Sequence, residues 1–241
     1  METPLNTNIL NRNQIKYLVT LAMLVDHIAS AFVCPESLLG IMMHFIGRLT
    51  APTMAYFIVE GYHNTRSITK HAARLFIFAI VSWLPYSYFI TGTISSNYSI
   101  MYSLFLGLLT VWLLDYDKHC KKSEMIIRVF CITAICFLSF WGDWIIFIPL
   151  WCMAFHIFYK RPYHKWIAYS LIGVGYCLSV FENTSTSCSG LSSLGIFVVP
   201  FIIQIGYNGK GGSKKPIHKW FFYVFYPMHL LILGWIRFHT C

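Results

Sequence analysis

The sequence predicts an all-α fold: a polytopic integral membrane protein of about nine transmembrane helices in one domain over residues 1–241, with the N-terminus cytoplasmic and the C-terminus outside. Three observations carry that prediction. Hydrophobic residues make up 57% of the chain and charged residues 11%, too few to coat a soluble domain of this length. Apolar runs of about 17–25 residues recur throughout, the length a helix needs to cross a hydrocarbon core roughly 30 Å thick. The segments between runs alternate between basic and devoid of lysine and arginine.

Each element follows from this alternation. The first helix, 15–33, begins beside Arg12 and Lys16 and ends at CPESLLG; a polar, Asn-rich start and no small-residue cleavage site make it an anchor, not a cleaved leader. The second, 41–62, returns to Arg66, Lys70 and Arg74, and the third, 71–90, runs out to TGTISSN. The fourth, 97–116, is headed by Asn97 and ends before Lys118, Lys121 and Lys122. The fifth, 125–141, and sixth, 143–159, meet at the tight turn WGDW and end at Lys160 and Arg161; a re-entrant hairpin here would leave the parity unchanged. The seventh, 165–181, leads to ENTSTSCSG, and the eighth, 191–207, to GKGGSKKPIHK. The ninth is 219–238. Sixteen of the eighteen basic residues fall at one set of ends, all but Arg48 and Arg237, which makes that side cytoplasmic by the positive-inside rule.

The net charge of +9 is therefore topology and attraction to anionic lipid; it is not a nucleic-acid surface, since no basic patch gathers on one domain. The eight cysteines show no CxxC pair and no metal-ligand spacing, so no metal is expected. A Cys34–Cys188 disulfide is one pairing the outer compartment allows. Asn97 and Asn183 head glycosylation sequons on the outer face.

Ionisable residues at bilayer depth cost several kcal/mol unless paired or facing water, so each is a functional candidate. They are Asp26, His27, Arg48, Glu60 and His229. Asp26 lies seven residues before the outer end of the first helix and Arg48 seven residues after the start of the second, so both sit roughly 10 Å deep and can pair. His27 then points about 100° away, toward the interior, where a neutral imidazole can serve either as a bonded core residue or as a general base. Pro227, two residues before His229, removes a helical hydrogen bond and can free a carbonyl there. Glu60 is expected either solvated at the cytoplasmic end or paired with Arg66 or Arg74.

Four blocks, LVDHIASAF, FIGRLTAPTMAYFIVEGYHNT, NYSIMYSLFLGLL and FYPMHLLIL, occur in an order and spacing that resembles the TraX family, from Leu21 to Leu233. That family is named for a conjugal-transfer protein that N-acetylates pilin in the bacterial inner membrane, and it is similar to the broader transmembrane acyltransferases that use a helix-borne histidine. The resemblance implies His27 as catalytic base, Asp26 and Arg48 as its electrostatic neighbours, and acetyl-CoA as donor. Arg66, Lys70, Arg74, Lys214 and Lys215 are then candidates to attract the donor's phosphates, and His229, Tyr226, Asn97 and Glu60 to line the substrate pathway. Expected partners are the lipid bilayer and an acyl acceptor, either a peptide amine or a glycan hydroxyl, with homo-oligomerisation left open. The expected location is the cell membrane. A proton-coupled carrier using Asp26, Arg48 and His229 as a relay is the competing class, and a noncatalytic assembly factor the third.

Overall fold

In a computed structural model, residues 9–115, 122–183, 190–213 and 215–239 are described. Ten helical elements follow one another among them: α1 (Arg12–Phe32), α2 (Leu38–Gly47), α3 (Thr50–Asn64), α4 (Ile68–Thr91), α5 (Ile100–Leu114), α6 (Lys122–Leu138), α7 (Phe147–Ile157), α8 (Pro162–Asn183), α9 (Leu191–Gly206) and α10 (Pro216–His239). No strand is found among the described residues; two isolated bridges join Leu10 to Tyr207 and Tyr98 to Gly142. The helices α1, α4, α6 with its 3-10 extension to Trp141, and α10 are long and apolar enough to cross a membrane, while α5, α7 and α9 are apolar but shorter.

Three elements depart from the sequence reading. The single helix expected over 41–62 is interrupted: α2 ends at Gly47 and α3 begins at Thr50. Arg48, the C-cap of α2, keeps right-handed helical torsions (φ −62°, ψ −14°), so the interruption tightens a turn and does not reverse the chain. Gly47 weakens the helix at that point, and Pro52, lacking an N–H, sits in the first turn of α3, where no intrahelical bond is lost. The helix expected to open at Asn97 instead opens at Ile100, because Tyr98 is held by the WGDW turn: Tyr98 N–H donates to the Trp141 carbonyl and Asp143 N–H to the Tyr98 carbonyl, both at 2.9 Å. That turn runs through positive φ at Trp144 and Ile145, which delays α7 to Phe147. Finally, α9 is irregular, 3-10 over Leu191–Val198, α over Val199–Phe201 and π over Ile202–Gly206. Ser192, Ser193 and Gly195 are poor helix formers, and Pro200 supplies no donor.

The chain divides into two packing units. The first comprises Met1–Thr53 with Gly173–Phe225. Here α1 starts from a capping box in which Asn11 accepts from Gln14 N–H and the Gln14 side chain accepts from Asn11 N–H. Its stripe of Ile15, Val19, Ala22, Met23 and His27 is buried, at spacings of three and four that put them on one helix face. Thr50 Oγ1 donates to the Val19 carbonyl at 2.9 Å, tying the first turn of α3 to α1. The loop after α9 is stitched to the start of α1: Arg12 N–H donates to the Lys210 carbonyl at 2.9 Å, Asn13 Nδ2 to the Ser213 carbonyl at 2.8 Å, and Tyr17 Oη lies 2.9 Å from His218 Nδ1.

The second unit comprises Met54–Ile172 with Tyr226–Cys241. Its centre is α5, buried through Ser103, Leu104, Leu106, Gly107, Leu108, Thr110 and Val111, as expected of a helix apolar all round. Gly107 brings α5 and α7 close: a Cβ there would lie 2.7 Å from Cys152 Sγ. Trp151 and Tyr169 stack at 5.5 Å and Phe155 and Tyr169 at 5.6 Å, joining α7 to α8. Arg237, expected to snorkel outward, instead donates to the Phe89 carbonyl at 3.2 Å. Apolar side chains on α6 (Met125, Ile126, Ile127, Val129, Phe130) face away from the unit.

Candidate functional site

The first unit gathers the residues read from the DH and GR motifs. Asp26 lies two turns from the end of α1, and its side chain rests against the bare face of Gly47, where any Cβ would strike the carboxylate. Glycine at 47 thus allows the close helix approach that seats Asp26. The hydrogen-bond partner the structure shows for Asp26 is His44, at 2.8 Å from Nδ1 to Oδ1, one turn before Arg48 on α2. Arg48 and His27 are both near enough for their charges to act on the carboxylate. The expected Asp26–Arg48 association therefore holds as a charge interaction, within a cluster that also contains a histidine absent from the sequence reading. Its side chain is 13% exposed and that of Asp26 20%.

A signal for His44 existed. Positions 44 and 48 are four apart, so a face that turns Arg48 toward Asp26 turns His44 the same way. His27, adjacent to Asp26, is buried at 8% exposure, as its 100° offset into the protein requires. Gly195 of α9 lets its backbone approach α2: a Cβ there would strike the Phe45 carbonyl and come within 3.2 Å of Arg48 Cβ. Two glycines, on α2 and α9, thus set the spacing of three elements around the cluster.

In the second unit, His229 is buried at 6% and Tyr226 at 1%. Their rings meet edge to face at 5.6 Å, one turn apart on α10, and the Tyr226 hydroxyl reaches toward Ser99 and the backbone of Ile100. Helix α10 continues through Pro227. Asn97, expected on this pathway, is exposed and precedes α5. Glu60 is buried at 7%, not solvated, and Lys165 of α8 is the cation on which its charge acts.

A further polar group in this unit lies where α3, α5 and α7 end. Tyr62 Oη donates to Asp115 Oδ2 at 3.0 Å, His156 Nε2 lies 3.9 Å from Asp115 Oδ1, and His156 Nδ1 lies 3.3 Å from His63 Nε2. Histidines in the last turns of two helices suit the negative ends of their dipoles, a sufficient structural cause for this group.

Of the residues expected at donor phosphates, Arg66 and Lys70 are exposed and Arg74 half-buried at the start of α4, and Lys215 is exposed in the first unit. Lys214, Lys118, Lys121 and Cys188 lie outside the described residues, and with Cys188 so does the expected disulfide. Among the described residues no group of three histidine, cysteine or acidic side chains is placed to hold a metal ion.

Comparison with known proteins places this sequence in a family. No solved structure matches the chain. The probable fimbrial assembly protein FimC, serogroup H1, of Dichelobacter nodosus is 27% identical over 228 residues, covering 91% of this chain and 93% of the relative. The family model described as TraX protein matches residues 11–237, which include all of Asp26, His27, His44, Gly47, Arg48, Tyr226 and His229. The chain is a member of the TraX family.

Proposed function

We propose that the protein is a multi-pass cell-membrane acyltransferase that moves an acetyl group from acetyl-CoA to an amine or hydroxyl of an acceptor at or across the membrane. A protein subunit of a fimbria or pilus is the acceptor class that the relative's name points to. The observation that carries the reading is a buried imidazole, His27, next to a carboxylate that is itself bonded to a second imidazole. Such a group on an apolar helix is costly to bury without a use.

In this reading His27 takes the proton from the attacking amine and Arg48 steadies the oxyanion that forms on the acyl carbon. The phosphates of the donor are drawn by Arg66, Lys70 and Arg74 at the start of α4, and by Lys214 and Lys215 before α10. Tyr226, His229 and Glu60 are among the buried polar side chains of the second unit.

The test is transfer of label from radiolabelled acetyl-CoA to a pilin-type subunit in membranes carrying wild-type protein or His27→Ala. Loss of a general base is expected to lower the rate by about 10²–10⁴-fold. Undiminished transfer by the variant would overturn the role of His27, and transport of a solute without transfer would favour the carrier. Orientation is checked with a cysteine at Ser213, in a variant whose eight native cysteines are replaced by serine or alanine, and a membrane-impermeant thiol reagent. Labelling is expected only after the cytoplasmic side is opened, and labelling of intact cells would invert the topology and remove the argument for a cytoplasmic donor.

A further inference from the structure

The transfer proposed above involves two proton movements, and the cluster around Asp26 holds two imidazoles. As the acceptor nitrogen bonds to the acyl carbon it gives up a proton; as the carbon–sulfur bond breaks, the departing thiolate must gain one. His44 is the imidazole whose geometry is fixed. An ionised carboxylate only accepts hydrogen bonds, so the 2.8 Å contact to Asp26 Oδ1 places the hydrogen on His44 Nδ1 and leaves Nε2 as the nitrogen that trades protons. The ring cannot swing away without giving up that bond, and Asp26 cannot follow it, being seated on the bare face of Gly47. The interruption between α2 and α3 begins directly after Gly47, at Arg48, so the pair lies beside the irregular point of this helical segment. Irregular backbone at membrane depth is tolerated where it lines a protein cavity and not where it meets lipid.

We propose that His44 is the second proton-handling group of the acyl-transfer site, giving its Nε2 proton to the departing thiolate while Asp26 anchors Nδ1 and offsets the charge of the protonated ring. This rests on the acyltransferase reading. The step balances: the nitrogen–carbon bond forms, the carbon–sulfur bond breaks, the amine proton goes to His27, and the sulfur takes its proton from His44. Proton exchange between the two rings, or with water, resets both. Among the described residues, the charged and titratable groups that act on the Asp26 carboxylate are His44 itself, His27 on α1 and Arg48 next to α2; Leu191–Val198 of α9 contains none.

His44→Asn tests this, because the asparagine amide can still donate to Asp26 from nearly the position of Nδ1 yet cannot exchange protons. Label transfer is measured from acetyl-CoA and from an acetyl thioester whose leaving thiol is more acidic. The asparagine variant is expected to keep its folded fraction and to lose about 10²-fold in kcat with acetyl-CoA, KM little changed, but less with the more acidic thiol, whose thiolate departs without needing the proton. A variant with the wild-type rate on both donors would overturn the proposal, as would an equal loss on both. If the variant does not fold, Asp26→Asn is measured with the same two donors: a larger loss with acetyl-CoA is expected, and an equal loss on both overturns the proposal as well. An inactive wild type would sink the acyltransferase reading itself, whereas an active wild type with an indifferent His44 sinks only this assignment.

Discussion

Replacing Gly47 with leucine is expected to abolish acyl transfer and to lower the stability of the protein by several kcal/mol, a larger loss than any other single change at this site. The carboxylate of Asp26 occupies the space a side chain at position 47 would need, and its own Cβ blocks retreat along α1. Two costs follow. Overpacking a tight helix contact costs about 1–3 kcal/mol. Forcing Asp26 off His44 breaks a part-buried hydrogen bond and strands the carboxylate, which costs about 1–3 kcal/mol where no new partner is found. Helix propensity works the other way, since leucine is favoured over glycine by about 1 kcal/mol, but it is too small to decide the sign. The single and double variants Gly47→Ala and Gly47→Ala with Asp26→Ala, unfolded thermally in detergent, separate the two costs. The second change removes the carboxyl carbon and Oδ1 and leaves only Asp26 Cβ in the way, so the double variant is expected to recover part of the loss of Gly47→Ala while remaining inactive. Equal stability would mean that Asp26 does not sit on Gly47.

That glycine also marks how far the sequence could be read. The helical class, the position of nearly every element and the inward turn of His27 follow from apolar periodicity and from the 100° step along a helix, both local properties. The approach of Asp26 to Arg48 followed from counting depth along two helices joined by a short loop. His44 escaped because depth counting looks for opposite charges, and a neutral histidine in LLGIMMHFIG reads as one more core residue. Its spacing of four from Arg48 put it on the face toward Asp26, but the bond between them became visible only once the α1 and α2 faces were in register. The interruption after Gly47 was hidden for a related reason. Gly47 and Pro52 each permit a break, but whether apolar residues on both sides stay in one helix depends on what packs against the gap, here Gly195 and its neighbours on α9. Asn97 was misplaced because a strong apolar run follows it, while the hydrogen bonds that hold Tyr98 come from a turn more than forty residues away.

In the second unit the corresponding test is Gly107, where the contact between α5 and α7 is tightest and no ionisable group complicates the energetics. Gly107→Ala would improve helix propensity by about 1 kcal/mol in an isolated helix. Here it is expected to destabilise, because the new methyl would lie 2.7 Å from Cys152 Sγ and 3.4 Å from both Cys152 Cβ and Ile148 Cγ2. Cys152 is fully buried and cannot rotate into solvent. Relieving the contact means parting two helices at the centre of the unit, at a cost of about 1–3 kcal/mol, and Gly107→Leu is expected to prevent stable folding. The double variant Gly107→Ala with Cys152→Ala removes the sulfur and returns the space to the methyl. Alone, Cys152→Ala leaves a small void and costs about 1 kcal/mol. Because each change fills what the other opens, the double variant is expected to be more stable than the sum of the two singles by at least about 1 kcal/mol, a coupling readable in a double-mutant cycle of thermal unfolding. Strict additivity would show that α5 and α7 are further apart at this point than 2.7 Å allows.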